Sequence, residues 1–155
     1  AALLGHINNN EFHLDDPLGK KLDVVSFNEY IGWYVGLPNE MAKYKFEIDY
    51  DKPIIITETG GGALAGFHAG EATRFSEEFQ EAIYKNQVKI FAGIDGLRGA
   101  TPWILVDFRS PKRLTPTYQA SWNRKGLISE TGQKQKAFSV SKAFYDEMEK
   151  KYSNK

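Results

Sequence analysis

The stretch "KPIIITETGGGALAG", residues 52 to 66, decides the fold. Its three consecutive isoleucines, Ile54 to Ile56, do not alternate with polar residues as a half-solvated strand would. They predict a parallel strand covered on both sides by helices. "LDVVSFN" (22 to 28) and "LRGATPWILVDF" (97 to 108) are runs of the same kind. Helical patterns lie between and after them. "NEMAKYKFEID" (39 to 49) follows Pro38 and predicts a helix with Asn39 as its N-cap. "SEEFQEAIYKNQVKIFA" (76 to 92) opens on Ser76 with two acids in its first turn and sets Phe79, Ile83 and Phe91 along one side. "GQKQKAFSVSKAFYDEMEKKYS" (132 to 153) spaces Ala137, Val140, Phe144 and Met148 as one buried stripe, with Lys150 and Lys151 near its C-terminal end.

Strands and helices in this alternation define an α/β chain whose right-handed crossovers make the strands parallel and adjacent. The opening "AALL" (1 to 4) reads as the tail of a further strand. A complete (β/α)8 barrel needs about 250 residues. The 155 residues, taken as one domain over 1 to 155, therefore predict a partial TIM barrel, a half barrel of four strands. Residues 108 to 131 form the longest segment without a pattern, and long loops in compact domains are often functional.

Composition removes several classes of function. Lys plus Arg equals Asp plus Glu at 20 each, so no global field draws in nucleic acid or an anionic membrane. No apolar run approaches the roughly 18 to 20 residues of a spanning helix, and "AALLGHINNN" lacks the basic region and the length of a secretion signal. Cysteine is absent, which excludes thiolate sites and fits either redox compartment, so localisation stays open. His6, His13 and His68 lie too far apart in sequence for metal-ligand spacing, so no metal or other cofactor is expected.

Working groups of parallel α/β proteins sit at the carboxyl ends of strands. Glu58 leaves a dry strand at such an end. A carboxylate there can attack a sugar carbon and later be displaced by water, while a partner acid protonates the leaving oxygen. The competing reading is a strand-end Glu held by backbone amides of the glycine turn. "GGGALA" also fits a loose dinucleotide fingerprint. Gly66 and Gly70 interrupt the helix that should follow, and Glu58 would repel a pyrophosphate, so a dinucleotide-binding domain is the weakest alternative. In "YQASWNRKGLIS", Asn123 and Lys125 can hold a small carboxylate, or the segment is a solvated basic turn.

"DVVSFNEYIGWY", "PIIITETGGGALAGFH" with "RFSEEFQ" behind it, "TPWILVDF" and "WNRKGL" together resemble the C-terminal part of the catalytic barrel of glycoside hydrolase family 2, and within it the β-glucuronidases. The resemblance implies a retaining β-glycosidase acting on β-glucuronides, or alternatively β-galactosides, with strands five to eight of the barrel in this chain. It makes Glu58, ending the seventh strand, the nucleophile. Asn28, Tyr30 and Tyr34 would line the sugar site from the sixth strand, and Trp103 would lie under the sugar at the end of the eighth. Asn123 and Lys125 match the pair that reads the glucuronate carboxylate. One departure is Thr59, where glucuronidases usually carry tyrosine, so that an aromatic wall is missing or supplied elsewhere.

The family's acid/base is an Asn-Glu pair on the fourth strand, and the two carboxyls of a retaining site stand about 5 to 5.5 Å apart. Asn28 and Glu29 are such a pair, yet they are only one β/α unit before Glu58. Asn28 and Tyr30 should share a strand face, leaving Glu29 to point towards the helix layer or loop. The acid/base is then expected upstream of this chain, and the chain alone is expected to be nearly inactive. Carbohydrate is the expected ligand. A four-stranded open sheet leaves edges unprotected, so the expected partners are the missing N-terminal half barrel or, in a non-catalytic alternative, a second copy of the chain.

Overall fold

The computed structural model describes residues 2–153. Ala1 of the "AALL" stretch lies outside them. Three strands, β3 (Val25–Asn28), β5 (Ile54–Thr59) and β6 (Leu97–Pro102), form a parallel sheet in the order β3-β5-β6. Leu3 extends it on the β3 side through a parallel bridge to Phe27, its amide donating to the Ser26 carbonyl at 2.6 Å. Val25, Phe27, Ile54 and Ile56 bury themselves on one face against Phe91 and Ile94. Burial of such a cluster is the main force holding the sheet.

The other face departs from expectation. It carries Ser26, Asn28, Thr57 and Thr101, with Asn28, Thr57 and Thr101 exposed. Hydroxyls tie this face together: Thr57 Oγ1 donates to the Phe27 carbonyl at 3.1 Å and Thr101 Oγ1 to the Thr57 carbonyl at 2.6 Å. The sheet is thus covered by the helix layer on one side only, because its polar parity hides behind the three isoleucines.

Helix α1 (Glu77–Phe91) forms as its pattern predicts. Ser76 Oγ accepts from the Phe79 amide at 3.0 Å, and Phe79, Ile83 and Phe91 are buried. Helix α2 (Lys136–Ser153) packs on α1 through Ala137, with Tyr84 and Leu127 completing the contact. The glycine run does not open a helix, since α1 begins only after Ser76.

Residues 39 to 49 do not form the predicted helix. Pro38–Lys43 make a 3-10 turn capped by Leu37 rather than Asn39, and Lys45–Ile48 form β4. Period two wins there: Phe46 and Ile48 pack on the core while Lys45 and Glu47 are exposed. β4 pairs in parallel with β2 (Glu11–Leu14), which in turn pairs antiparallel with β1 (His6–Asn8). The crossover from β3 to β5 therefore passes through a second small sheet. The predicted run 97 to 108 likewise ends early, at Pro102, which has no amide to continue a ladder. Beyond it, Ile104 to Asp107 run beside residues 125 to 128. The supposedly patternless loop contains a short antiparallel pair, β7 (Phe108–Arg109) and β8 (Trp122–Asn123).

The β1-β2 hairpin turns on Asn9 and Asn10, whose φ angles of 48° and 63° are those of a type I′ turn. Asparagine tolerates this left-handed geometry better than other non-glycine residues. Asn10→Ala should lower stability by about 1 kcal/mol, and Asn10→Gly should not. Urea midpoints of the two variants check this.

Candidate functional site

Glu58 reaches the site through an irregularity in β5. Ile54 and Ile56 face the helix layer, so strict alternation would send Glu58 there too. Phe27 pairs with Ile56, but the next pair is Asn28 with Glu58, leaving Thr57 as the extra residue. Such a bulge reverses the parity of every residue beyond it. The half-buried Glu58 carboxylate accepts from Tyr30 Oη at 2.9 Å, whereas Thr59 turns into the helix layer and is buried. The Glu58 carboxylate is thus met by a phenol, not by the glycine-turn amides that the competing reading required.

The end of β3 needs no bulge. Asn28 and Tyr30 fall on the site's side, Asn28 Oδ1 accepting from Thr57 Oγ1 at 2.8 Å. Glu29 points the other way, as expected from alternation, and is buried. Its carboxyl accepts from the Ile31 amide, from Thr59 Oγ1 at 3.0 Å and from Gln87 Nε2 at 3.2 Å. Burial pushes its pKa from the ordinary 4.5 up to about 7, against the opposing pull of those hydrogen bonds.

Lys125 closes the other end of the site. Only 3% exposed, its ammonium donates to Tyr34 Oη at 3.1 Å and lies 5.1 Å from the ring centres of Trp33 and Tyr34 and 5.8 Å from that of Tyr30. Rings attract cations through their π faces. Burial lowers the Lys125 pKa, partly offset by Tyr34. Tyr30 thereby touches both charges, with its hydroxyl on Glu58 and its ring near Lys125. Burial and the Glu58 hydrogen bond raise the Tyr30 pKa, which keeps it a neutral donor.

Asn123, Arg124 and Lys125 are all buried, so the solvated basic turn is not what forms. Asn123 Oδ1 accepts from the Lys125 amide at 3.2 Å. Arg124 is turned away from Lys125 and ion-paired to Asp107 at 3.2 Å and to Glu130. Burial raises the Asp107 pKa to about 6, opposed by the Gly126 amide and Arg124. Gly126 has no room for a side chain, since a Cβ would stand 2.4 Å from the Asp107 amide nitrogen. Its carbonyl accepts from the Gln80 and Gln135 side-chain amides, each at 3.0 Å, which anchors the segment to α1 and to the residue that precedes α2. Trp103 is half-buried, its amide donating to the Thr59 carbonyl at 2.8 Å and its ring edge-on to Phe108.

Glu58, Tyr30, Tyr34 and Lys125 are therefore brought together as one chain of contacts, with Asn28, Trp103 and Asn123 at its margins. A residue without a sequence signal also takes part: Arg74 stacks 4.1 Å over Trp33 and donates to its carbonyl at 2.8 Å. No group of histidines and acids among the described residues has the geometry to hold a metal. Nor is any described helix long and apolar enough to cross a membrane.

No protein-family model matches the chain. It is 34% identical over 128 residues to a β-glucuronidase of Streptococcus agalactiae, a match covering 76% of the chain and 21% of that protein. A β-glucuronidase of Paenibacillus borealis is 27% identical over 135 residues, covering 81% of the chain and 22% of its own length. Among solved structures, the glycoside hydrolase family 2 β-galacturonidase of Eisenbergiella tayi bound to galacturonate superposes with a TM-score of 0.67 at 28% identity, over 81% of the chain and 24% of that enzyme. The chain thus spans about a fifth of the length of the curated relatives it matches. In fold and sequence the chain resembles a segment of a glycoside hydrolase family 2 enzyme. Among those enzymes the resemblance is to the β-glucuronidases.

The buried Glu29 makes a pH test. Below about pH 4.5 its carboxyl is protonated in folded and unfolded chains alike, and between 4.5 and about 7 only the unfolded chain releases the proton. Stability should fall as pH rises through that window and level off above it, by about 3 kcal/mol. Glu29→Gln should abolish this slope. Its amide can donate to the Gln87 Oε1, which otherwise lacks a partner, once that side chain turns over. Denaturant midpoints across the window decide the matter.

Proposed function

We propose that this chain is part of the catalytic barrel of a retaining β-glycosidase acting on β-glucuronides, with Glu58 as the nucleophile. Support comes from one observation above all: Tyr30 holds a carboxylate at its hydroxyl and has a buried ammonium beside its ring. A pyranoside with a carboxylate at C6 can set its anomeric carbon at Glu58 and its acid group at Lys125. A neutral galactoside would offer Lys125 no charge partner, which favours the uronide. The E. tayi neighbour, bound to galacturonate, is consistent with an acidic sugar here.

In this reading Glu58 attacks the anomeric carbon, the glycosidic C–O bond breaks, and the aglycone oxygen leaves with a proton from an acid/base residue. Water then attacks the glycosyl ester, and Glu58 is regenerated. Tyr30 orients Glu58 by its hydrogen bond. Asn28 and Trp103 flank the sugar, and Asn123 stands with Lys125 at its carboxylate. Glu29, buried towards the helix layer, does not serve as the acid/base in this reading, and that role falls to a residue outside these 155. The parallel sheet would then be strands five to eight of a (β/α)8 barrel, its polar open face turned to the barrel interior.

General-acid help is typically worth about 10² to 10⁴-fold, so the chain by itself should turn over aryl β-glucuronides barely above background. In the longer polypeptide that carries it, Glu58→Ala should be inactive with water and rescued by azide, giving the α-glycosyl azide. Azide enters from the face that Glu58 vacates. Aryl β-glucuronide turnover that survives Glu58→Gln would sink the assignment.

A further inference from the structure

Glu58 stands between two threonines, and each is tied to β3. On the open face of the sheet, Thr57 Oγ1 is bonded to the Phe27 carbonyl at 3.1 Å and to Asn28 Oδ1 at 2.8 Å. On the helix-layer face, Thr59 Oγ1 donates to the Glu29 carboxyl at 3.0 Å. That carboxyl also accepts from the Ile31 amide. Both residues that follow the Tyr30–Glu58 pair, Ile31 after Tyr30 and Thr59 after Glu58, are thus bound to one acid. The Glu29 amide adds a further tie, donating to the Glu58 carbonyl at 2.9 Å.

Glu29, Thr59 and Gln87 are all buried, and Gln87 Nε2 donates to the Glu29 carboxyl at 3.2 Å, which fastens the arrangement to α1. Hydrogen bonds to an ionised acceptor are roughly twice as strong as those to a neutral one. The three donors therefore grip Glu29 most firmly when it is a carboxylate. The ionisable groups lining the small cavity beside Thr59 are two phenols, Tyr84 of α1 and Tyr145 of α2, while Glu58 and Tyr30 lie across the sheet. Burial raises the pKa of both phenols and keeps them neutral, so the charge that changes on this face near neutral pH is that of Glu29.

We propose that Glu29 is a positioning residue for the nucleophile, a role that rests on the reading of Glu58 above: its ionised carboxyl clamps Thr59 and Ile31 and so sets Glu58 against Tyr30, and its protonation slackens the clamp. A protonated carboxyl accepts more weakly than a carboxylate. Glu58 and Tyr30 are then held best above about pH 7, the side on which the buried charge costs the fold stability.

If Glu29 only fills the helix layer, Glu58 feels its titration as the field of one charge and nothing more. Side-chain carbon NMR of the full chain separates the two, following Glu58 Cδ and Tyr30 Cζ across the Glu29 transition near pH 7. In the wild type both signals should step together with the Glu29 carboxyl, and Glu29→Gln should remove the step. Thr59→Val keeps shape and charge but lacks the hydroxyl, so Glu29 should still titrate while the Glu58 and Tyr30 steps lose most of their size. Thr59→Ser, which returns the hydroxyl, should restore them. Thr59→Ala makes the same comparison if Thr59→Val does not fold. In the longer polypeptide, Thr59→Val should lower kcat at least about 10-fold, the worth of a hydrogen bond to a charged group, with KM unchanged. Steps of full size without the hydroxyl, no step in the wild type as Glu29 titrates, or an unchanged kcat each overturn the inference. The NMR steps need no turnover. Their failure leaves the nucleophile reading standing, whereas a failed azide rescue of Glu58→Ala removes that reading while the steps remain.

Discussion

The bulge at Thr57 in β5 is the constraint on which the site depends. Ile54 and Ile56 must face the helix layer, because they supply the fully buried centre of the core. A regular strand would carry Glu58 into that same apolar layer, where an ionised carboxylate costs several kcal/mol. One extra residue resolves the conflict. Thr57 occupies the slip, its hydroxyl bonded to the Phe27 carbonyl and to Asn28 Oδ1, and everything after it changes face. Glu58 then meets Tyr30, and Thr59 meets Glu29. Two cross-strand hydrogen bonds on opposite faces of the sheet fix the same pair of strand ends.

The charges are distributed by the same logic. In the run Asn123-Arg124-Lys125, alternate residues face opposite ways, so Arg124 is neutralised by Asp107 and Glu130 while Lys125 reaches the Tyr34 hydroxyl. Lys125 keeps its charge in a dry place through three ring faces and one phenol. Aromatic rings compensate a cation only in part, and burial still lowers its pKa.

The sequence is legible where a single physical preference acts alone. The Ser76 cap with its apolar stripe yields α1 almost to the residue. Parity along "FNEY" separates Glu29 from Asn28 and Tyr30 correctly, and three of the four motifs of the resemblance contribute residues, Tyr30, Glu58 and Lys125, that the fold brings together. Legibility fails where two preferences compete. "MAKYKFEI" has helix formers, yet Phe46 and Ile48 gain more by pairing beside β2 than by a turn of helix, and tertiary burial overrides propensity. Asn9 and Asn10 are a hairpin signal that the polar composition of "HINNNEF" masks. The β5 bulge leaves no trace in an isoleucine run, because parity cannot be read where every residue is apolar.

The bulge also explains why threonine at position 59 does not cost the site an aromatic wall. After the parity change, residue 59 points into the helix layer, so a larger side chain there would enter the space between Tyr84, Gln87 and Pro102, where a cavity of about 20 Å³ remains beside Thr59. The aromatic rings around Lys125 come instead from Tyr30, Trp33 and Tyr34, all on the segment after β3. What threonine supplies is a hydroxyl for the buried Glu29. The next residue is bound to be small for a related reason: Gly60 has φ of +121°, and a Cβ there would lie 2.2 Å from the Tyr84 hydroxyl. Thr59 and Gly60 thus serve the packing of β5 on α1, and that packing holds Glu58 at the height where Tyr30 can reach it.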